Sequence, residues 1–119
     1  MRAPSPTERS EFEYYDGLSL DALEVFIGRA TQVEEGIQLA PETSRDLARR
    51  LLSEGREAAR RRICMEWDWP GKRQDPRFED RAQLGVAIAD LVVGLFKGPP
   101  VLSVAALLMK LGLDQLCGC

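Results

Sequence analysis

The residues with the most chemical capacity lie together between positions 64 and 81, in the run CMEWDWPGKRQDPRFEDR. Five carboxylates fall there, Glu66, Asp68, Asp75, Glu79 and Asp80, with Trp67 and Trp69 interleaved. An indole packed on a carboxyl removes water from it and raises its pKa, which is how an acid becomes useful for proton transfer near neutral pH. Lys72, Arg73, Arg77 and Arg81 are interleaved with the same acids, and the simpler outcome of that pattern is a set of surface ion pairs. The chain has no histidine, so the side chain most used for general acid/base work and for metal ligation is missing. The expectation is therefore a protein that is not an enzyme and that uses no cofactor and no metal.

Other chemistries fail on spacing. The only Gly-Lys pair, Gly71-Lys72, has Glu66 where a phosphate-binding loop needs its first glycine and Arg73 where it needs a hydroxyl. No dinucleotide fingerprint, nucleophile elbow or calcium loop occurs. Three cysteines, Cys64, Cys117 and Cys119, are an odd number and cannot form the even framework of a small secreted fold, so they read as reduced thiols. Cys117-Gly118-Cys119 does not satisfy a prenylation signal, because Leu116 stands where its cysteine belongs.

What the 64–81 segment can do is bind. Tryptophan and arginine are the side chains most enriched at interface hot spots, and Trp67, Trp69, Lys72, Arg73 and Arg77 bring them together beside the turn-forming Pro70-Gly71 and Pro76. In an extended stretch Trp67 and Trp69 would share one side and Glu66 and Asp68 the other. The same rings could instead cap an open end of a core. The runner-up reading is nucleic-acid binding of helix-turn-helix type through Arg45, Arg49, Arg56 and Arg60. Glu42, Asp46, Glu54 and Glu57 counter it on the same segment, as does the sequence pI of about 5.0.

Helices must position these residues. Residues 1–17, with Pro4, Pro6 and Gly17, read as a mobile N-terminal arm carrying Phe12, Tyr14 and Tyr15, and residues 18–119 read as a single helical domain. Ser19 is a suitable cap for a first helix whose apolar arc is Ala22, Leu23, Phe26, Ile27, Ala30 and Val33, ending at Glu34, Glu35 and Gly36. Pro41 opens a second helix with the stripe Leu47, Ala48, Leu51, Leu52, Gly55, Ala58, Ala59 and Ile63. A structured loop over 64–77 separates it from a third helix over Phe78 to Phe96, whose only charge after Leu84 is Asp90. Lys97-Gly98-Pro99-Pro100 turns the chain into a fourth helix from Val101 to about Leu116. The fold class expected is all-α, a small four-helix bundle-like domain with an apolar C-terminal helical hairpin and a tryptophan-containing loop between the second and third helices.

Charge and hydropathy set the remaining expectations. Residues 1–40 hold three basic and eight acidic side chains, 41–81 hold eleven and nine, and 82–119 two of each, a weak pointer to an interaction surface. Acids occupy the N-terminal region where a signal peptide is apolar, and no run reaches the roughly 18 apolar residues of a spanning helix. A cytoplasmic protein follows, with a membrane-associating hairpin as a third reading. The expected function is a small non-catalytic protein-interaction module, an adaptor or inhibitor, acting through the Trp/Arg loop or the apolar hairpin. Its partner is another protein, or a second copy meeting through the hairpin.

Overall fold

Two adjacent helices are apolar on nearly every side and must be covered by the rest of the chain. In the computed structural model, which describes residues 2–31 and 39–119, these are α5 (Arg81–Val92) and α6 (Val101–Leu111). All eight residues from Leu102 to Met109 are buried, as are Ala82 and Leu84 through Ala89. Each helix packs on the other; α1 (Pro6–Asp16), α2 (Leu20–Thr31) and a π-helical turn (Arg61–Glu66) enclose them, and α3 (Pro41–Arg60) packs on α2. Short pieces finish the bundle: α4 (Trp69–Lys72), a 3-10 turn (Pro76–Glu79) and α7 (Leu113–Cys117). The architecture is all-α and bundle-like, with the expected third and fourth helices at its centre.

The helix ends follow local chemistry. Asp80 caps α5 by accepting from the Ala82 N–H at 3.1 Å, so Phe78 falls in the preceding 3-10 turn rather than inside the helix. Gly94, with φ of 85°, ends α5 near Val92 and short of Phe96. Gly112, with φ of 104°, splits the expected fourth helix into α6 and α7. Ser19 caps α2 as expected, accepting from Ala22 N–H at 3.1 Å. The end of that helix predicted at Val33, Glu34, Glu35 and Gly36 lies outside the described residues. α2 and α3 meet closely at Gly28, where a Cβ would collide with the Ser44 carbonyl.

The N-terminal segment expected as an arm is helical from Pro6 to Asp16. Ser5-Pro6-Thr7-Glu8 is a capping box: Glu8 N–H donates to Ser5 Oγ at 3.1 Å, and Ser5 N–H donates to Glu8 Oε1 at 3.0 Å. Pro6 sits in the first turn, where its missing N–H is harmless. The resulting α1 packs on α5 and α6. Phe12 is 1% exposed and lies against Gly85, whose missing side chain makes room for the ring. Tyr15 is buried beside Phe26, with ring centroids 5.2 Å apart. Ion pairs rim the contact: Arg81 with Asp16 at 2.7 Å, Arg9 with Asp80 at 2.7 Å, and Arg2 with both Glu8 and Asp90. Asp90 is thus an exposed surface acid.

The cysteines also depart from expectation. Cys64 and Cys117 form a disulfide between the π-turn and α7, with Cα atoms 5.4 Å apart across 53 residues of sequence, and Cys119 alone is a free thiol. An odd count leaves one thiol over; it does not prevent the other two from pairing once the fold brings them together.

The Arg2, Arg81 and Arg9 hydrogen bonds hold Glu8 at about 2 and draw Asp16 and Asp80 below the ordinary carboxylate value. Folded values below unfolded ones mean that these contacts stabilise α1 docking above about pH 4 and lose that contribution as pH falls toward about 2. Amide NMR signals of residues 6–16 should shift over that window ahead of those of α5 and α6. Separately, Cys64→Ser should lower unfolding stability by about 4 kcal/mol in a denaturant melt, because the disulfide closes a long loop in the unfolded chain.

Candidate functional site

The tryptophan segment is a tight turn rather than an extended stretch. α3 runs on into the π-turn, where Trp67 N–H donates to the Arg62 carbonyl at 3.0 Å. Asp68 then takes a left-handed conformation with φ of 60°, and α4 starts at Trp69 with Pro70 in its first turn. This reversal does put both indoles on one side, stacked with centroids 6.2 Å apart and planes 14° from parallel. Phe78 closes the cluster, edge-on to Trp67 at 5.3 Å and tilted to Trp69 at 6.5 Å.

The two tryptophans differ in burial. Trp69 is 8% exposed, and its Nε1–H donates to Asp114 Oδ1 at 2.9 Å. A buried indole needs an acceptor for its N–H, and α7 supplies it. Trp69 is therefore part of the core, as in the alternative reading of these rings as a cap on the core. Trp67 is half-buried against that core. Three basic residues of the segment have partners within the chain: Lys72 Nζ stands 5.6 Å over Trp67, Arg73 lies 3.7 Å from Asp114, and Arg77 pairs with Asp75 at 2.7 Å. Trp69, Arg81, Leu84, Met109, Leu113 and Asp114 line a small cleft of about 210 Å³ beside the turn.

Two of the acids that could have served proton transfer, Asp75 and Asp80, are set for ion pairing. Hydrogen bonds from the Arg77 side chain and backbone hold Asp75 at about 2, and Arg9 draws Asp80 down. A general acid needs displacement in the opposite direction. Among the described residues no group of three or more His, Cys, Asp or Glu side chains is arranged to hold a metal ion. No helix among them is long and apolar enough to cross a membrane.

On α3, three of the four arginines suggested for nucleic acid face carboxylates. Arg45 pairs with Asp21 at 3.2 Å, Arg49 with the buried Glu24 at 3.2 Å, and Arg60 with Glu57 at 2.7 Å. Arg56 instead lines an apolar depression with Leu52, Leu108, Leu111 and Leu116. The field such a stripe would present to phosphates is thereby reduced.

Among the described residues, an open apolar groove lies along α2. Leu23 and Ile27 of α2 are fully buried, but Ala22, Val25, Phe26 and Ala30 form a second stripe on the same helix. Together with Tyr14, Leu18, Arg29 and Pro41 they line a groove of about 610 Å³. Tyr14 is 62% exposed at its edge, and Arg29 donates to the Leu39 carbonyl at a long 3.4 Å. The signal in the sequence is Val25. With it, the apolar residues of α2 span more than half the helix circumference at ~100° per residue, wider than one core face requires.

No known protein family, curated protein or solved structure matches the chain.

Trp69→Ala should lower unfolding stability by about 3–5 kcal/mol, the usual range for emptying a buried tryptophan site. Trp67→Ala should cost clearly less, because that ring is already partly in water. Urea melts followed by far-ultraviolet circular dichroism measure both; equal losses would mean that the two rings are equally part of the core.

Proposed function

We propose that the protein is a non-catalytic protein-interaction module, an adaptor or inhibitor, that receives an apolar helix of another protein in the groove between α1 and α2. The observation supporting this reading is the second apolar stripe of α2, Ala22, Val25, Phe26 and Ala30, which the described elements leave as the floor of an open groove. A helix-in-groove complex uses apolar anchors at three- and four-residue spacing against such a floor. Arg29, at the side of the groove, suits a partner helix carrying a carboxylate.

The Trp/Arg turn and the hairpin are less suited to this role. Trp69 and the faces of α5 and α6 are buried, and Lys72, Arg73 and Arg77 have partners within the chain. Nucleic-acid binding by α3 is weakened for the same reason, since Arg45, Arg49 and Arg60 each face an acid. The Cys64–Cys117 bond weighs against the cytoplasmic placement, because stable disulfides belong mainly to oxidising compartments.

Val25→Glu tests the groove. Val25 is half-buried, so the variant should keep its cooperative melt while losing most of the fluorescence enhancement that the wild-type groove gives an apolar dye. A photo-crosslinker at position 25 should join a protein in cells, and Tyr14→Ala should weaken that adduct. Crosslinking to nucleic acid, or dye binding that Val25→Glu leaves unchanged, would overturn the proposal.

A further inference from the structure

All three sulfurs lie at one edge of the bundle. Cys64, on the π-turn, is bonded to Cys117 at the end of α7 and is itself buried. Gly118 follows with φ of 71°, a left-handed conformation that turns the backbone back on the helix. Cys119 N–H consequently donates to the Asp114 carbonyl at 3.0 Å, so the third cysteine lies along the last turn of α7 rather than away from it. Its side chain is held on the same turn: Sγ donates to Asp114 Oδ1 at 3.8 Å and accepts from Arg73 Nη1 at 3.6 Å. The free thiol is exposed, and it lies two residues from a half-buried disulfide sulfur.

A disulfide is exchanged when a thiolate attacks one of its sulfurs and displaces the other. Of the two sulfurs here, Cys117 is the more accessible and the nearer in sequence to Cys119, while Cys64 is covered by the core. Gly118 adds no side chain to the small ring that a Cys117–Cys119 bond would close. Displacing Cys64 would also free α7 from the π-turn, and α7 carries Asp114, the acceptor for the buried Trp69 N–H.

We propose that Cys64, Cys117 and Cys119 form a thiol–disulfide exchange site in which Cys117 is the shared sulfur. Cys119 gives its proton to water and attacks Cys117 Sγ; the Cys117–Cys119 bond forms as the Cys64–Cys117 bond breaks, and Cys64 leaves as a thiolate that takes a proton from water. The oxidation level does not change, so no external oxidant or reductant takes part. The form with Cys64 bonded is the resting one, because it keeps α7 docked and avoids the small ring. The exchanged form releases α7 and loosens the Trp67–Trp69 stack. The site thus acts as a redox-neutral latch on that edge of the bundle, independent of the α1–α2 groove.

Alkylation mapping tests this directly. The oxidised protein is held without oxygen or added thiol at pH 6, 7 and 8, trapped with N-ethylmaleimide, and its disulfides are assigned by mass spectrometry of non-reduced peptides. The wild type should yield, beside the major product labelled at Cys119, a second product labelled at Cys64 and linked Cys117–Cys119. The rate at which that product accumulates should rise with pH, because the thiolate is the attacking species. Cys119→Ser, which keeps the native disulfide, should yield no Cys64 label under any condition. Tryptophan fluorescence of the trapped second product should differ from that of the first. Label confined to Cys119 at every pH, or Cys64 label of equal amount in Cys119→Ser, would overturn the proposal.

Discussion

A helix that is apolar on nearly every side has little to give to water, and α5 and α6 together bring two of them. Their mutual contact covers only one side of each, so the remaining sides must be closed by other segments. That requirement organises the rest of the chain. α1 covers one flank with Phe12 and Tyr15, the α2–α3 pair adds Leu23 and Ile27, and the π-turn contributes Ile63 and Cys64. Burial of this area supplies the main stabilisation, at roughly 25 cal/mol per Å² of apolar surface removed from water. The glycines at α1–α5 and α2–α3 matter because they set how closely these covers approach.

Charge arrangement follows from the same requirement. The covering elements carry most of the acids and arginines, and at their rims these side chains meet one another: Asp16 with Arg81, Asp80 with Arg9, Glu24 with Arg49. Each pair is at least partly exposed, so individually it adds little to stability, on the order of 0–1 kcal/mol. Collectively they fix which helix lies beside which, and they leave the basic side chains of α3 with little net positive field. The Trp69–Asp114 hydrogen bond has a different role, because it satisfies a polar atom inside the core and makes the position of α7 matter to the indole pair.

These internal demands bear on function by subtraction. The residue types that most suggest binding, tryptophans and arginines, are largely occupied within the molecule. The open groove is lined instead by the less conspicuous Ala22, Val25 and Phe26, a stripe that one core does not need. At the opposite kind of site, the three sulfurs combine a covalent clamp with a nearby free thiol, a pairing that permits rearrangement without net oxidation.

Periodicity along the chain determined the helical class, the central pair of helices, the Ser19 cap and the start of α3 at Pro41, because these depend on residues within a few positions of one another. The S-x-x-E box at Ser5 was also local and legible, but Pro4 and Pro6 made it read as an arm. Only tertiary structure decided that Phe12 docks on Gly85, that Trp69 turns inward to Asp114 and that Cys64 meets Cys117. Each of those contacts joins residues 45 or more positions apart. Spacing along the chain carries no information about such distances until the apolar helices have drawn their covers around them.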